Sequence, residues 1–79
     1  MVELFNKLAG DDGKVHESRL CMRAEEAGLL RGPREMRVFW ARVCHGAMVH
    51  PRNALDLPHF RRACRQGMAH EEVGRLLAP

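Results

Sequence analysis

Two short stretches of the chain, 40 residues apart, have the spacing of a cation-binding loop. The first begins at Leu8 and passes through Asp11-Asp12-Gly13. The second begins at Met48 and passes through Arg52-Asn53 to Leu55-Asp56. In a 12-residue calcium loop, carboxylates stand at the first, third and fifth positions and a bidentate Glu closes the twelfth. The spacing of these two stretches therefore points to calcium coordination.

Most of the coordinating positions lack a suitable oxygen. They read Leu8, Gly10, Asp12 and Arg19 in the first loop, and Met48, His50, Arg52 and His59 in the second. Asp12 is the one carboxylate among them. Arg19 replaces the closing acid, and it cannot coordinate a cation because a guanidinium stays protonated and accepts no hydrogen bond. We expect neither loop to bind calcium, and the sequence indicates no metal site and no cofactor.

The positions that shape such loops are kept. The sixth position holds Gly13 and Asn53, two residue types that enter the left-handed backbone region at low cost. The eighth holds Val15 and Leu55, which suit a minimal two-stranded pairing between the loops. These four residues form a predicted loop scaffold: the residues that shape the loops are present, although the calcium ligands are not.

Helices must position the two loops. Apolar spacing, caps and prolines predict an all-α fold of four helices and a C-terminal tail. The expected bounds are Val2 to Leu8, about Glu17 to Ala27, Pro33 to about Cys44 or His45, a fourth helix capped by Asp56 and closed by Gly67, and one or two turns within Met68 to Leu77. Gly28 followed by Leu29 fits a left-handed cap on the second helix. The stretch from Gly46 to Asn53 is expected to be an irregular loop.

The paired helix-loop-helix frames resemble degenerate EF-hand domains. Leu8-Ala9-Gly10-Asp11-Asp12 is similar to the first loop of calpain-type penta-EF-hand proteins and to the calcium-insensitive C-terminal hands of α-actinin. In the calpain type, a carbonyl corresponding to Ala9, a carboxylate corresponding to Asp12 and a closing Glu hold calcium. Arg19 stands in place of that Glu, so the resemblance does not carry the metal site over.

The middle of the chain is similar to the EF-hand-like region that precedes the catalytic domain of kidney-type glutaminases. The similar residues are Ala27-Gly28-Leu29-Leu30-Arg31, Pro33-Arg34, Leu55-Asp56, Phe60-Arg61-Arg62 and Cys64. The resemblance implies a single EF-hand-like domain over residues 1–79, with hands at about 2–28 and 33–67 and a C-terminal helix at about 68–77. It also implies an accessory, regulatory or oligomerisation module, because the catalytic residues of that enzyme lie in a downstream domain.

The net charge of +3 is unevenly distributed. Between Arg31 and Arg65, eight arginines oppose Glu35 and Asp56, so this stretch carries +6 and the remainder −3. A basic patch is predicted from Arg34, Arg37, Arg61, Arg62 and Arg65. Such a patch could neutralise phosphates, but no recognition-helix motif accompanies it and aromatic residues are few. Such a row of arginines usually means solubility or an acidic protein partner, so both are favoured over nucleic acid, which remains an alternative.

A groove for a partner helix is predicted from apolar residues on the helices. Phe39 and Trp40 are about 100° apart on a helix, so one is expected inside and the other at the edge. As in EF-hand lobes that hold an amphipathic helix, the predicted lining is Met22, Met36, Phe39, Trp40 and Phe60. In the alternative interpretation, both aromatic residues border the core and the methionines fill gaps in it.

The sequence gives weaker support for disulfide bonds, a membrane span, a zinc site or a catalytic site. The odd number of cysteines, Cys21, Cys44 and Cys64, predicts free thiols in an intracellular setting, either the cytoplasm or an organelle matrix. No apolar run is long enough for a membrane span. A zinc cluster of Cys44, His45, His50, His59 and Cys64 is an alternative, although it lacks Cys-x-x-Cys spacing. Ser18, the only serine, has no nucleophile setting, so no catalytic residue is assigned and the chain is not expected to be an enzyme.

The sequence thus predicts a module that binds protein without calcium, either a partner helix or another copy of itself. It is either an accessory module of a larger, glutaminase-like enzyme or an autonomous EF-hand-like adaptor. A natural reading frame that continues beyond Pro79 into a catalytic domain would favour the first, and a native stop there the second.

Overall fold

Five α-helices and no β-strand are present in the computed structural model, which describes residues 2–78. The helices are α1 (Val2–Leu8), α2 (Glu17–Glu26), α3 (Pro33–Ala47), α4 (Leu57–Gln66) and α5 (His70–Leu77). They pack into a body of 26 × 25 × 23 Å. The all-α prediction is confirmed, and the expected C-terminal turns form a regular helix.

One face of every helix contributes to a single hydrophobic core. The buried residues follow the spacing of three and four that a helix face requires, and they include Leu4, Phe5, Leu8, Leu20, Cys21, Ala24, Phe39, Trp40, Val43, Cys44, Ala47, Phe60, Ala63, Cys64, Val73 and Leu76. Near the centre, the rings of Phe5 and Phe60 have centroids 5.8 Å apart and planes tilted by 57°. This tilted arrangement is a favourable one for aromatic pairs.

The two interhelical loops meet at one residue each. The Val15 N–H donates to the Leu55 carbonyl at 2.8 Å, and the Leu55 N–H donates to the Val15 carbonyl at 2.9 Å. Both side chains are fully buried. The contact is an isolated antiparallel bridge rather than a pair of strands, and it ties α2 and α4 together at their N-terminal ends.

One turn hydrogen bond of the first loop recurs 40 residues later. The Gly13 N–H donates to the Gly10 carbonyl at 3.0 Å, and the Asn53 N–H donates to the His50 carbonyl at 2.9 Å. The helices that follow begin at Glu17 and Leu57. The chain therefore repeats a helix, a turn, a bridge residue and a second helix.

Helices α2 and α3 end in the same type of cap. Gly28 has φ of 79°, and its N–H donates to the backbone carbonyl of Glu25. The Leu29 N–H donates to the backbone carbonyl of Ala24. These bonds define a Schellman motif and confirm the predicted left-handed cap. At the end of α3, Met48 takes the same role with φ of 61°.

Helix α3 continues past its predicted end at Cys44 or His45 and includes Gly46 and Ala47. A Cβ on Gly46 would overlap the backbone of Gly67, and a Cβ on Gly67 would lie 2.8 Å from the Val43 carbonyl oxygen. The two glycines therefore let α3 and the end of α4 approach backbone to backbone. Packing at this crossing keeps Gly46 helical despite its low helix propensity.

Polar contacts tie α5 to the body. The two carboxylate oxygens of Glu72 accept from the Ala69 N–H at 2.8 Å and from Arg42 of α3 at 2.6 Å. Arg23 of α2 donates to the Leu76 carbonyl at 3.1 Å and to the Ala78 carbonyl. A side chain thus bonds free backbone groups at each end of α5: Glu72 at the N-terminal end and Arg23 at the C-terminal end. Arg23 and Arg42 reach α5 from α2 and α3.

Candidate functional site

The first loop uses its one candidate calcium ligand internally. Asp12 accepts the Lys14 N–H at 3.1 Å, and its other oxygen lies 2.7 Å from Nε2 of His16. These two hydrogen bonds, the His16 contact foremost, lower the pKa of Asp12 below its usual 3.8. Gly13 has φ of 74°, as the sequence predicts for the sixth position.

The second loop turns differently from the prediction. The expectation of a left-handed Asn53 is wrong, because Met48 is the one non-glycine residue with positive φ among residues 2–78. His50 and Pro51 form an ordinary turn in which Nδ1 of His50 accepts the Arg52 N–H at 3.1 Å. Pro51 fixes its own φ near the value that the second position of a turn requires.

Asp56 caps α4 as predicted. Its Oδ1 accepts the His59 N–H at 3.1 Å, and Nδ1 of the same histidine lies 2.7 Å away. The backbone hydrogen bond is the main cause of the lowered pKa of Asp56. By contrast, His16 occupies the equivalent position before α2 and gives no side-chain cap.

The residues of the zinc alternative do not converge. Cys44 and Cys64 are buried, whereas His45, His50 and His59 are exposed. Within residues 2–78, no group of three or more His, Cys, Asp or Glu side chains is placed to hold a metal ion. Burial raises the pKa of each of the three cysteine thiols, including Cys21, to about 11.

The fold places the residues of the predicted partner groove in separate parts of the molecule. Phe60 is fully buried at the Phe5 contact, and Phe39 and Trp40 are both only 3% exposed. The expectation that one of the adjacent aromatic residues lies at the edge is therefore wrong. Helix α3 is covered on both of the sides to which they point, and the Trp40 indole N–H donates to the Pro51 carbonyl of the second loop at 2.8 Å.

The two methionines of the predicted groove lie elsewhere, between α2 and α3. Met22 and Met36 line a depression of about 340 Å³ together with Cys21, Glu17 and Ser18. Met22 is 61% exposed. This methionine surface shares Glu17 and Ser18 with the depression beside Trp40, but it shares no lining residue with the groove that contains Phe39.

A different groove opens between α3, α5 and the segment that links α2 to α3. We call it the α3–α5 groove; it has a volume of about 410 Å³ and is lined by Leu29, Leu30, Arg34, Glu35, Val38, Phe39, Arg42 and Glu72. Of the predicted lining residues, only Phe39 belongs to it. Sequence reasoning missed Val38, whose signal is an apolar residue among charged neighbours on the outer face of α3.

The predicted basic patch is split. Arg34 stands in the first turn of α3, whereas Arg62 reaches the Met48 sulfur, 3.1 Å away, just beyond the other end of that helix. The first turn of α3 and Gly46 are about 18 Å apart along the helix axis. Arg37 therefore groups with Arg34, and Arg61 and Arg65 share α4 with Arg62, which leaves two separate basic surfaces.

No protein-family model matches the chain, and no curated protein or solved structure matches it significantly. None of the helices found within residues 2–78 combines the length and apolar character needed to cross a membrane.

Proposed function

We propose that this protein is a calcium-independent protein-interaction module with a regulatory or oligomerisation role. The observation that carries the proposal is the open α3–α5 groove, whose apolar floor includes Leu30 and whose wall includes Val38, exposed by 66%. An exposed apolar surface with a charged rim is typical of a docking site for another protein.

The repeated geometry supports an EF-hand-like interpretation of the fold. Bridge residues Val15 and Leu55, the matched turns before them and helices that begin 40 residues apart are the features expected of paired hands. On this interpretation the loops serve as a fixed scaffold, since their backbone groups already bond to one another.

Calcium independence is supported by the chemistry of the loops. Both oxygens of Asp12 already have partners in the protein, and Arg19 and His59 stand where closing carboxylates would be required. A bound divalent cation would have to displace His16 and would meet a guanidinium instead of a bidentate acid.

The narrower form of the proposal is the accessory module of a glutaminase-like enzyme, and the alternative form is an autonomous adaptor. The resemblance of Ala27 to Arg31 and Phe60 to Arg62 supports the first form. Sequencing the natural transcript across the codon for Pro79 separates them: a downstream catalytic domain supports the accessory form, and a stop codon supports the adaptor. We do not propose nucleic-acid binding, because the arginines are divided between two surfaces.

The test is a peptide-display selection against the whole chain, run in parallel in EDTA and in millimolar calcium. We expect the same helical peptides to be enriched in both buffers, and we expect the amide NMR signals of Asp12 and Gly13 to be unaffected by calcium. Enrichment that depends on calcium would contradict the calcium independence. Failure to enrich any peptide above a selection against the urea-unfolded chain would contradict the binding function.

A further inference from the structure

We infer that Met48 is an oxidation site for hydrogen peroxide and that Arg62 holds the methionine sulfoxide it forms. The inference is independent of the proposed interaction function and concerns the C-terminal end of α3, where that helix meets α4. It is carried by the exposure of Met48, by the guanidinium already in contact with its sulfur, and by the freedom of that guanidinium from any ion pair.

Met48 is the most exposed methionine within residues 2–78. It is 78% exposed, against 61% for Met22 and 6% for Met68, and Met36 is half-buried. A small oxidant in solution therefore reaches the thioether of Met48 without any opening of the core. Methionine oxidation is a common reaction of peroxide with proteins, and reductases reverse it.

The guanidinium of Arg62 lies against this sulfur. Its Nη1 donates to Sδ of Met48 at 3.1 Å, although a thioether is only a weak acceptor. Arg62 takes part in no ion pair in the part of the chain that the structure describes. His45 and Gln66 are the other polar side chains that line the depression around Met48 and Arg62. Arg62 thus points a strong donor at a position that lacks a strong acceptor.

Oxidation supplies that acceptor. A lone pair of the Met48 sulfur attacks one oxygen of hydrogen peroxide, the S–O bond forms and the O–O bond breaks. The departing hydroxide takes the proton from the transferred oxygen and leaves as water, so the sulfur is oxidised and the peroxide is reduced. The product is a neutral sulfoxide whose oxygen is a polar acceptor beside Arg62.

The sulfoxide oxygen and the guanidinium form a charge-assisted hydrogen bond, which is stronger than the contact with the thioether. The methionine side chain is flexible enough to turn its new oxygen toward Arg62 without movement of the backbone. Oxidation usually disrupts a core because it makes an apolar side chain polar. Met48 is exposed and has little packing to lose, so its oxidation ties the end of α3 to α4 and stabilises the fold.

The first experiment locates the oxidation. The full chain is treated with dilute hydrogen peroxide, the reaction is stopped with free methionine, and dithiothreitol returns any disulfide to thiols. Peptide mapping by mass spectrometry then follows each methionine with time. We expect Met48 to be oxidised first, Met22 next, and Met36 and Met68 last. Oxidation of Met22 ahead of Met48 would overturn the assignment of the site.

The second experiment measures the effect on stability in a Met22→Leu chain, in which Met48 is the remaining exposed thioether among residues 2–78. Urea denaturation is compared before and after oxidation. We expect the ratio of folded to unfolded protein to rise about fivefold, less than a buried hydrogen bond to a charged group contributes, because water screens this one. Methionine sulfoxide reductases should return the ratio to its starting value. An unchanged or lower ratio after oxidation would contradict the role of Arg62.

Alanine substitutions provide the matched control. Arg62→Ala removes the donor, so oxidation of this variant should give no gain in stability. Arg61→Ala removes the same charge at the neighbouring position of α4, which does not line the depression around Met48, and should keep the full gain. Both positions are exposed, and alanine favours a helix, so both variants should fold. A gain that persists in Arg62→Ala would show that another group holds the sulfoxide and would overturn the inference.

Discussion

At the scale of single residues, the left-handed conformation of Met48 is the clearest local conflict between sequence and fold. A side chain in this region crowds the following carbonyl, which is why glycine is the usual residue at this cap position. Met48 is 78% exposed, so little packing compensates for its backbone conformation. The end of α3 is therefore a site at which the protein is less stable than it could be.

We predict that Met48→Gly raises the free energy of unfolding by about 1 kcal/mol, because it removes this backbone strain. Urea denaturation followed by circular dichroism measures the change. The control is Met22→Gly, the same substitution at an exposed position inside α2. It should lower the unfolding free energy by about 1 kcal/mol. A destabilised Met48→Gly variant would show that the contact between Met48 and Arg62 outweighs the strain.

Asp56 makes stability depend on pH in the acid range. Its pKa in the folded chain lies below 3.8, mainly because its carboxylate accepts the His59 N–H. The stabilisation from this group is therefore fully present above pH 3.8 and is lost as the pH falls through the lower, folded-state pKa. Since the side chain of Asp56 is 47% exposed, solvent screening keeps the effect modest.

We predict that Asp56→Asn, which keeps a capping oxygen but has no charge, loses less of its stability than the wild type between about pH 5 and pH 2. Asp56→Ala should cost about 1 kcal/mol at neutral pH through loss of the cap. Urea midpoints measured across this pH range test both statements. Identical pH profiles for the wild type and the Asn variant would contradict the assigned role of the carboxylate.

At the scale of helices, the crossing of α3 and α4 depends on two glycines. Gly46 and Gly67 touch through their backbones, and the surrounding atoms are main-chain atoms that cannot rotate away. In the sequence, Gly46 has the character of a helix terminator. In the fold, Gly46 lies within the last turn of α3, at a place against Gly67 where only a residue without a Cβ fits.

We predict that Gly46→Ala lowers the free energy of unfolding by about 2 kcal/mol or more, since the new methyl group forces the helices apart. Gly74→Ala is the matched control. Gly74 lies in α5 with open space around its Cα, and alanine there should raise the unfolding free energy by about 0.5–1 kcal/mol. Chemical denaturation measures both. Equal effects of the two substitutions would show that the crossing tolerates a Cβ.

At the scale of the whole molecule, the three cysteines report on the integrity of the core. Cys21, Cys44 and Cys64 lie on α2, α3 and α4, are all free, and are all buried. Burial raises the pKa of each thiol to about 11. Little reactive thiolate is therefore expected at neutral pH while the chain is folded.

We predict that an aromatic disulfide reagent labels the native protein slowly at pH 8 and labels all three thiols rapidly in denaturant. The native labelling rate should follow the opening of the core, so it should rise in the destabilised Gly46→Ala variant and not in Gly74→Ala. Absorbance of the released thiolate measures the rate. Fast labelling of one thiol in the native state would show that its helix opens separately from the rest.

The sequence by itself determined the local features of this protein. These features are the all-α class, the cap at Gly28, the Asp56 cap and the left-handed Gly13. They follow from backbone sterics, from the N–H group that proline lacks, and from side-chain oxygens that bond within a few residues. Helix starts at Glu17, Pro33 and the Asp56 cap were predictable for the same reason. Such signals act over short distances along the chain and do not depend on how the helices pack.

Only the tertiary structure decided which apolar residues are covered. Phe39 and Trp40 are both buried because α3 has neighbours on two sides, and Val38 remains exposed because α5 leaves that strip of α3 open. The extension of α3 through Gly46 and the separation of Arg34 from Arg62 have the same origin. Helical spacing shows which residues share a face, but the surface that meets that face is set by contacts between residues distant in sequence.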